Sequence, residues 1–355
     1  MKFNSLKIGN LTAEIPIIQG GMGIGVSSSR LASAVANEGG IGIISAAQLG
    51  YNEPDFEKNP LEANLRSLKK HITLAKAKSP NGIIGINAMV ATNNYEEHIK
   101  AAIEAGADLI ISGAGLPTML PKIVKGYDVK IAPIVSSLKA AKVILKLWDK
   151  HDNVVPDLIV IEGPKAGGHL GFKLNELNDE HLDFDKTVTD IINETKKYEE
   201  KYDKKIPIVV GGGVFDGKDI AHYLKLGASG VQMATRFVVT EECDASQEFK
   251  DAYINCTKDS IQIVKSPVGM PGRAIQNNFV KRSSAEPQKV THCYNCLTPC
   301  NPANTPYCIS KALINAVNGN VDEGLIFCGE NAYRLTKMTT VKELMKELIE
   351  ELKNA

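Results

Sequence analysis

The residues with the clearest capacity for chemistry are one histidine and three glycine-rich segments. The segments are Gln19-Gly20-Gly21-Met22-Gly23, Gly163-Pro164-Lys165-Ala166-Gly167-Gly168-His169-Leu170-Gly171 and Gly211-Gly212-Gly213. Glycine lets backbone N–H groups approach a ligand closely, as a flat cofactor with a phosphate tail requires. A phosphate is expected at Gly211, Gly212 and Gly213 together with Ala234-Thr235-Arg236. His169 follows two glycines, and an imidazole there can exchange a proton with substrate near neutral pH. A single glycine-rich loop could be a tight turn and His169 could bond its own loop, but three such loops beside one histidine favour a site. His71, His98, His151, His181 and His222 lie in helical or charged contexts that suit ordinary structural roles.

Two further polar residues, Asn87 and Glu162, end apolar β-branched runs, where either could bond the pyrimidine edge or ribityl chain of a flavin. Each could equally satisfy loop backbone. Four of the seven cysteines, Cys293, Cys296, Cys300 and Cys308, form C-x2-C-x3-C-x7-C in one segment. That spacing leaves open an iron–sulfur cluster, a zinc site completed by the adjacent His292, or thiols that bind nothing.

These residues must be carried by a scaffold. Short runs rich in Ile and Val at 15–18, 41–45, 83–87, 109–112, 130–135, 158–162, 206–210 and 230–234 alternate with helical patterns, the mark of a parallel sheet with crossover helices. Gly106 and Gly227 stand where helix ends need a left-handed residue. Eight β/α units in about 250 residues suit a closed (β/α)8 TIM barrel. A doubly wound open sheet would carry G-x-G-x-x-G after its first strand, and Gly21-Met22-Gly23-Ile24-Gly25 does not match it. On a barrel, the glycine loops and His169 all follow strand ends and so share the catalytic face.

The division expected is a barrel over 1–257, an irregular cysteine-containing segment on the substrate side over 258–330, and a C-terminal helix within 331–355. The middle segment holds Pro267, Gly269, Pro271, Gly272, Pro287, Pro299, Pro302 and Pro306 and shows no β/α repeat. The last has Val341, Leu344, Met345, Leu348, Ile349 and Leu352 at helical spacing, a stripe that should pack on the barrel. The 355 residues are 43% hydrophobic and 23% charged, as in a soluble globular protein. Lys plus Arg and Asp plus Glu number 41 each, so no basic excess points to nucleic acid or membrane. With no signal peptide or spanning run, the cytoplasm is the expected location. The partner expected is a small-molecule substrate. A homodimer is allowed for, although the sequence does not fix oligomeric state.

The segments Pro16-Ile17-Ile18-Gln19-Gly20-Gly21-Met22, Glu162-Gly163-Pro164-Lys165-Ala166-Gly167-Gly168-His169 and Ile208-Val209-Val210-Gly211-Gly212-Gly213-Val214 occur in that order. Gly230-Val231-Gln232-Met233-Ala234-Thr235-Arg236-Phe237 and Gly269-Met270-Pro271-Gly272-Arg273-Ala274 follow. Over residues 10 to about 280 the chain thereby resembles the nitronate monooxygenase (2-nitropropane dioxygenase) family of flavoproteins, which includes the flavin-dependent enoyl-acyl carrier protein reductase II. The resemblance implies FMN held by Gly21, Met22, Gly23, Asn87, Ser136, Glu162 and Ala166, its phosphate at Gly211, Gly212, Gly213, Ala234 and Thr235, and His169 as the catalytic histidine. It implies oxidation of an alkyl nitronate with dioxygen, or, in the reductase, NAD(P)H-dependent reduction of an enoyl thioester. A barrel that binds flavin without turnover is a reading of a different class, against which the retained His169 argues.

Two departures from the family pattern stand out. Lys165 occupies a position where many members carry Glu, reversing a charge beside the expected flavin. The cysteine segment lies outside the family pattern and resembles the cluster motif of iron–sulfur flavin barrels such as dienoyl-CoA reductases. A cluster there would let the enzyme take electrons from a protein donor, favouring reduction.

Overall fold

The computed structural model describes every residue of the chain except Glu180. Eight strands form a closed barrel: β1 (Ile17–Gln19), β2 (Ile41–Ser45), β3 (Ile83–Met89), β4 (Leu109–Gly113), β5 (Lys130–Val135), β6 (Ile159–Glu162), β7 (Ile208–Gly211) and β8 (Gly230–Met233). Every neighbouring pair is parallel, and β8 closes onto β1 through Val231↔Ile17. All eight runs read from the sequence are barrel strands, with ends differing by a few residues. The fold is the expected (β/α)8 barrel.

Alternation along these strands decides which side chains reach the centre. Ile41, Ile43, Leu109, Ile111, Val160 and Val209 point inward into one apolar cluster. Their neighbours Ile44, Ile110, Ile159, Ile161, Ile208 and Val210 point outward under the helices. A hairpin of Leu6–Ile8 and Leu11–Ala13 plugs the end where the strands begin, with Leu6 and Ile8 in the inner cluster. The same alternation carries Ser45, Asn87, Glu162 and Gln232 inward at the opposite, C-terminal end.

The crossover segments hold the helices that the sequence pattern requires, from Ser29–Asn37 after β1 to Gly217–Lys225 after β7. Gly106 and Gly227 leave their helices with φ of 87° and 102°, as expected of left-handed C-caps. The terminal helix Val341–Asn354 starts from a capping box of Thr340 and Glu343 and buries Val341, Leu344, Met345, Leu348 and Leu352. It packs on Gly217–Lys225 and Ser29–Asn37. Among the described residues no helix is long and apolar enough to cross a membrane.

The excursion after the barrel is more regular than its prolines and glycines imply. Ile261–Lys265 pairs antiparallel with Pro271–Ile275, and that strand pairs in turn with Gly168–His169 of the loop after β6. Helices Asn278–Ala285 and Ile309–Val317 follow. Val264, Ala274, Phe279, Leu297, Tyr307, Ile309 and Leu325 give this unit a core of its own. Pro271 begins its strand, a position that does not require an N–H in mid-ladder.

Candidate active site

A cavity of about 420 Å³ opens at the C-terminal end of the barrel. Its walls include Gly21, Met22, Gly23, Asn87, Ser136, Glu162, Ala166, His169, Gly212, Gly213, Ala234 and Thr235. Twelve of the sequence-derived positions therefore meet around one space. Gly211 does not line it: this residue ends β7, and its carbonyl accepts the Gly163 N–H at 2.9 Å.

At one end lie Gly212 and Gly213, consecutive residues with φ of 88° and 104°. A Cβ on Gly212 would stand 2.7 Å from the backbone of Gly163, so only glycine permits this turn. Among the described residues neither N–H of the pair donates to a backbone carbonyl, which leaves both to meet an anion. Asn331 holds the turn by donating Nδ2–H to the Gly213 carbonyl at 2.7 Å.

The middle of the cavity is polar. Glu162 ends β6, and desolvation pushes its carboxyl up to about 7. Gln232, opposite Gly211 in register, has a buried Oε1 with no hydrogen-bond partner. An unpaired buried acceptor is costly, and a ligand N–H would satisfy it. A Cβ on Gly21 would meet Asn87 Cβ at 2.3 Å, so the loop after β1 lies directly against Asn87. This cradle fits the edge and chain of a flavin. Gln232 was not singled out from the sequence, although a polar residue alternating with Val231 and Met233 on a barrel strand is the signal that marks it.

His169 sits at the mouth on the two-residue strand Gly168–His169, in register with Gly272. Its Nε2 is 2.6 Å from Ser266 Oγ, and its ring meets Phe327 edge-on at 5.1 Å. Burial lowers its pKa to about 4, so the ring is neutral at physiological pH. Ser266 belongs to the turn between the two excursion strands and is itself buried. Arg273 braces the loop after β6 by donating to the carbonyls of Pro164 and Ala166. Ser266 and Arg273 are 97 and 107 positions from the groups they hold, so nothing local in the sequence points to either role.

Beyond His169 the lining turns apolar: Met89, Leu116, Ile134, Leu297, Ile309 and Leu325. Of the four clustered cysteines only Cys296 lines the cavity, and Cys293 is exposed. Burial pushes the Cys296 thiol up to about 11. Among the described residues no three His, Cys, Asp or Glu side chains come together in a way that could hold a metal ion. The cysteine spacing is thus not matched by a ligand set, and the cluster and zinc readings do not fit the residues as placed.

A family model for nitronate monooxygenase matches residues 4–351. The protein named "Probable nitronate monooxygenase" in Staphylococcus aureus (strain Newman) is 26% identical over 292 residues, covering 77% of this chain and 79% of that one. Among solved structures, FabK from Thermotoga maritima superposes with a TM-score of 0.72 at 23% identity, over 96% of this chain and 93% of its own. Nitroalkane oxidase from Streptomyces ansochromogenes gives 0.72 at 17% identity, over 96% of each chain. At those identities the two structures speak for the barrel fold, and the family match carries the assignment. The chain is an oxidoreductase that belongs to the nitronate monooxygenase family.

Proposed function

We propose that this chain is an FMN-dependent, nitronate monooxygenase-like enzyme that oxidises alkyl nitronates with dioxygen. The observation that carries the reading is a neutral His169 held over a cavity whose far end is a glycine turn with free N–H groups. FMN, when bound, would supply the two-electron acceptor and afterwards the site at which dioxygen is reduced. Gly212, Gly213, Ala234 and Thr235 would hold its phosphate. Gly21, Met22, Gly23, Asn87, Ser136, Glu162, Ala166 and Gln232 would line its ribityl chain and ring.

The remaining work falls to this chain's side chains. His169, neutral and fixed through Ser266 Oγ, can accept the acidic proton from the carbon beside the nitro group of the parent nitroalkane, leaving the nitronate, or return it. Glu162, with a pKa of about 7, keeps a substantial protonated fraction at neutral pH and can then donate a hydrogen bond into the cavity. Met89, Leu116, Ile134, Leu297 and Ile309 exclude water and receive the alkyl chain. The seven cysteines are all free thiols, which suits a reducing cytoplasm.

The same apolar end would accept the acyl chain of an enoyl thioester, and it is the feature that favours NAD(P)H-dependent reduction as the second reading. One experiment separates the two: an anaerobic visible spectrum of the purified chain, with NADH, NADPH and a nitronate added in turn. Bleaching of a flavin band by the nitronate alone is the expected result. Bleaching by NAD(P)H moves the assignment to the reductase, and absence of any flavin band sinks both.

A further inference from the structure

The cavity has one ammonium group. Among the described residues Lys165 is the only Lys or Arg that lines it, and Glu162 the only carboxylate. The stem of Lys165 lies along the glycine turn after β7, since a Cβ on Gly213 would stand 2.9 Å from Lys165 Cβ and 3.2 Å from its Cδ. Its backbone is anchored as well, the Lys165 carbonyl accepting the Glu330 N–H at 3.1 Å.

Other cations at this end of the barrel are engaged elsewhere. Arg236 donates to the Phe215 carbonyl and pairs with Glu347 at 2.8 Å. Arg334 pairs with Asp216 at 2.8 Å. Arg273 serves the carbonyls of Pro164 and Ala166 and faces Glu330 at 3.4 Å. Among the described residues Lys165 makes no ion pair and its Nζ no hydrogen bond. An exposed lysine is ordinarily a solvated surface charge, but the stem of this one is laid against a turn whose own N–H groups are free.

We propose that Lys165 closes the phosphate end of the flavin site, its ammonium pairing with the phosphate monoester that Gly212 and Gly213 hold. The proposal rests on the flavin reading above. A phosphate monoester carries between one and two negative charges at neutral pH. Among the described residues no other Lys or Arg lines the cavity to balance them, so the loop after β6 provides what the loops after β7 and β8 lack.

The test uses the full chain stripped of flavin and titrated, by quenching of flavin fluorescence, with FMN and with riboflavin, which lacks the phosphate. Lys165→Met keeps a stem over Gly213 and removes the charge. It should weaken FMN about ten-fold or more and leave riboflavin within about two-fold. Lys165→Arg should restore most of the FMN affinity, and added salt should narrow the gap between wild type and Lys165→Met. Equal loss for both ligands, or loss for neither, overturns the proposal and leaves the flavin reading standing. A wild-type chain that binds neither FMN nor riboflavin overturns the flavin reading, and the proposal with it.

Discussion

The two ends of the cavity are assembled by different kinds of contact. At the glycine end, Gly212, Gly213, Ala234 and Thr235 follow directly from β7 and β8, so their positions are set as soon as the barrel closes. At the other end, Leu297, Ile309, Leu325 and Phe327 come from the excursion, and the register Gly272↔His169 ties that excursion to the loop after β6. The glycine end depends on strand ends shared by all barrels of this kind. The apolar end combines the barrel residues Met89, Leu116 and Ile134 with the docked excursion, which also sets the His169 ring through Ser266. Under the proposed function, cofactor binding and substrate choice would thereby be separated in space.

Breaking the comparison at its centre should have the largest effect. His169→Ala should lower turnover by roughly two or more orders of magnitude, as for loss of a general acid or base, while flavin absorbance of the purified protein stays at the wild-type level. Loss of flavin in that variant would mean that the two ends are not separable. At the glycine end, Gly212→Val places a side chain 2.7 Å from the Gly163 backbone at a φ of 88°. That variant should purify without flavin, and full occupancy would put the phosphate elsewhere.

The middle of the cavity can be read through pH. Glu162 in the folded, flavin-free chain titrates at about 7 and in the unfolded chain near its ordinary 4.5. Its folded form therefore holds the proton more tightly, and the associated stability is present below about pH 4.5 and lost as pH rises towards 7. Urea unfolding of wild type and Glu162→Gln should show the wild-type advantage falling by up to about 3 kcal/mol across that window and flat above it. His169, lowered to about 4 from 6.5, acts with the opposite sign. Relative to His169→Gln, wild type should lose stability as pH drops from 6.5 towards 4. A flat profile for Glu162 would place its carboxylate in a solvated environment, and an advantage rising with pH would place it in a paired one.

The smallest effect tests the long-range brace. Ser266→Ala removes one hydrogen bond to His169 and should lower kcat several-fold with KM little changed, in line with about 1 kcal/mol. Steady-state kinetics that show a change in KM alone would make Ser266 part of the substrate pocket and not a support for the imidazole.

The barrel was legible because its signals are local. Runs such as 41–45 and 130–135 are apolar and β-branched, and Gly106 and Gly227 mark helix ends without reference to the rest of the chain. The cavity-lining positions Asn87 and Glu162 were legible for the same reason, as polar residues at strand ends. What escaped notice depended on distant partners. Ile261–Lys265 and Pro271–Ile275 form a hairpin, yet Pro267, Gly269, Pro271 and Gly272 read as breakers until the pairing with Gly168–His169 is known. Gln232 became meaningful once the barrel fixed which face of β8 looks inward. Cys293, Cys296, Cys300 and Cys308 have a suggestive spacing, and the fold does not turn it into a ligand set.

The brace on His169 also has a meaning for the chain as it is being made. Ser266 lies 97 positions after the histidine, which at 5–20 residues per second is a delay of roughly 5–20 s. In the course of that interval the nascent chain, which already holds β6, gains the glycine turn and β8 but still lacks the hydroxyl that orients its imidazole. The setting of the His169 ring therefore comes later in synthesis than the strand ends that form the glycine turn.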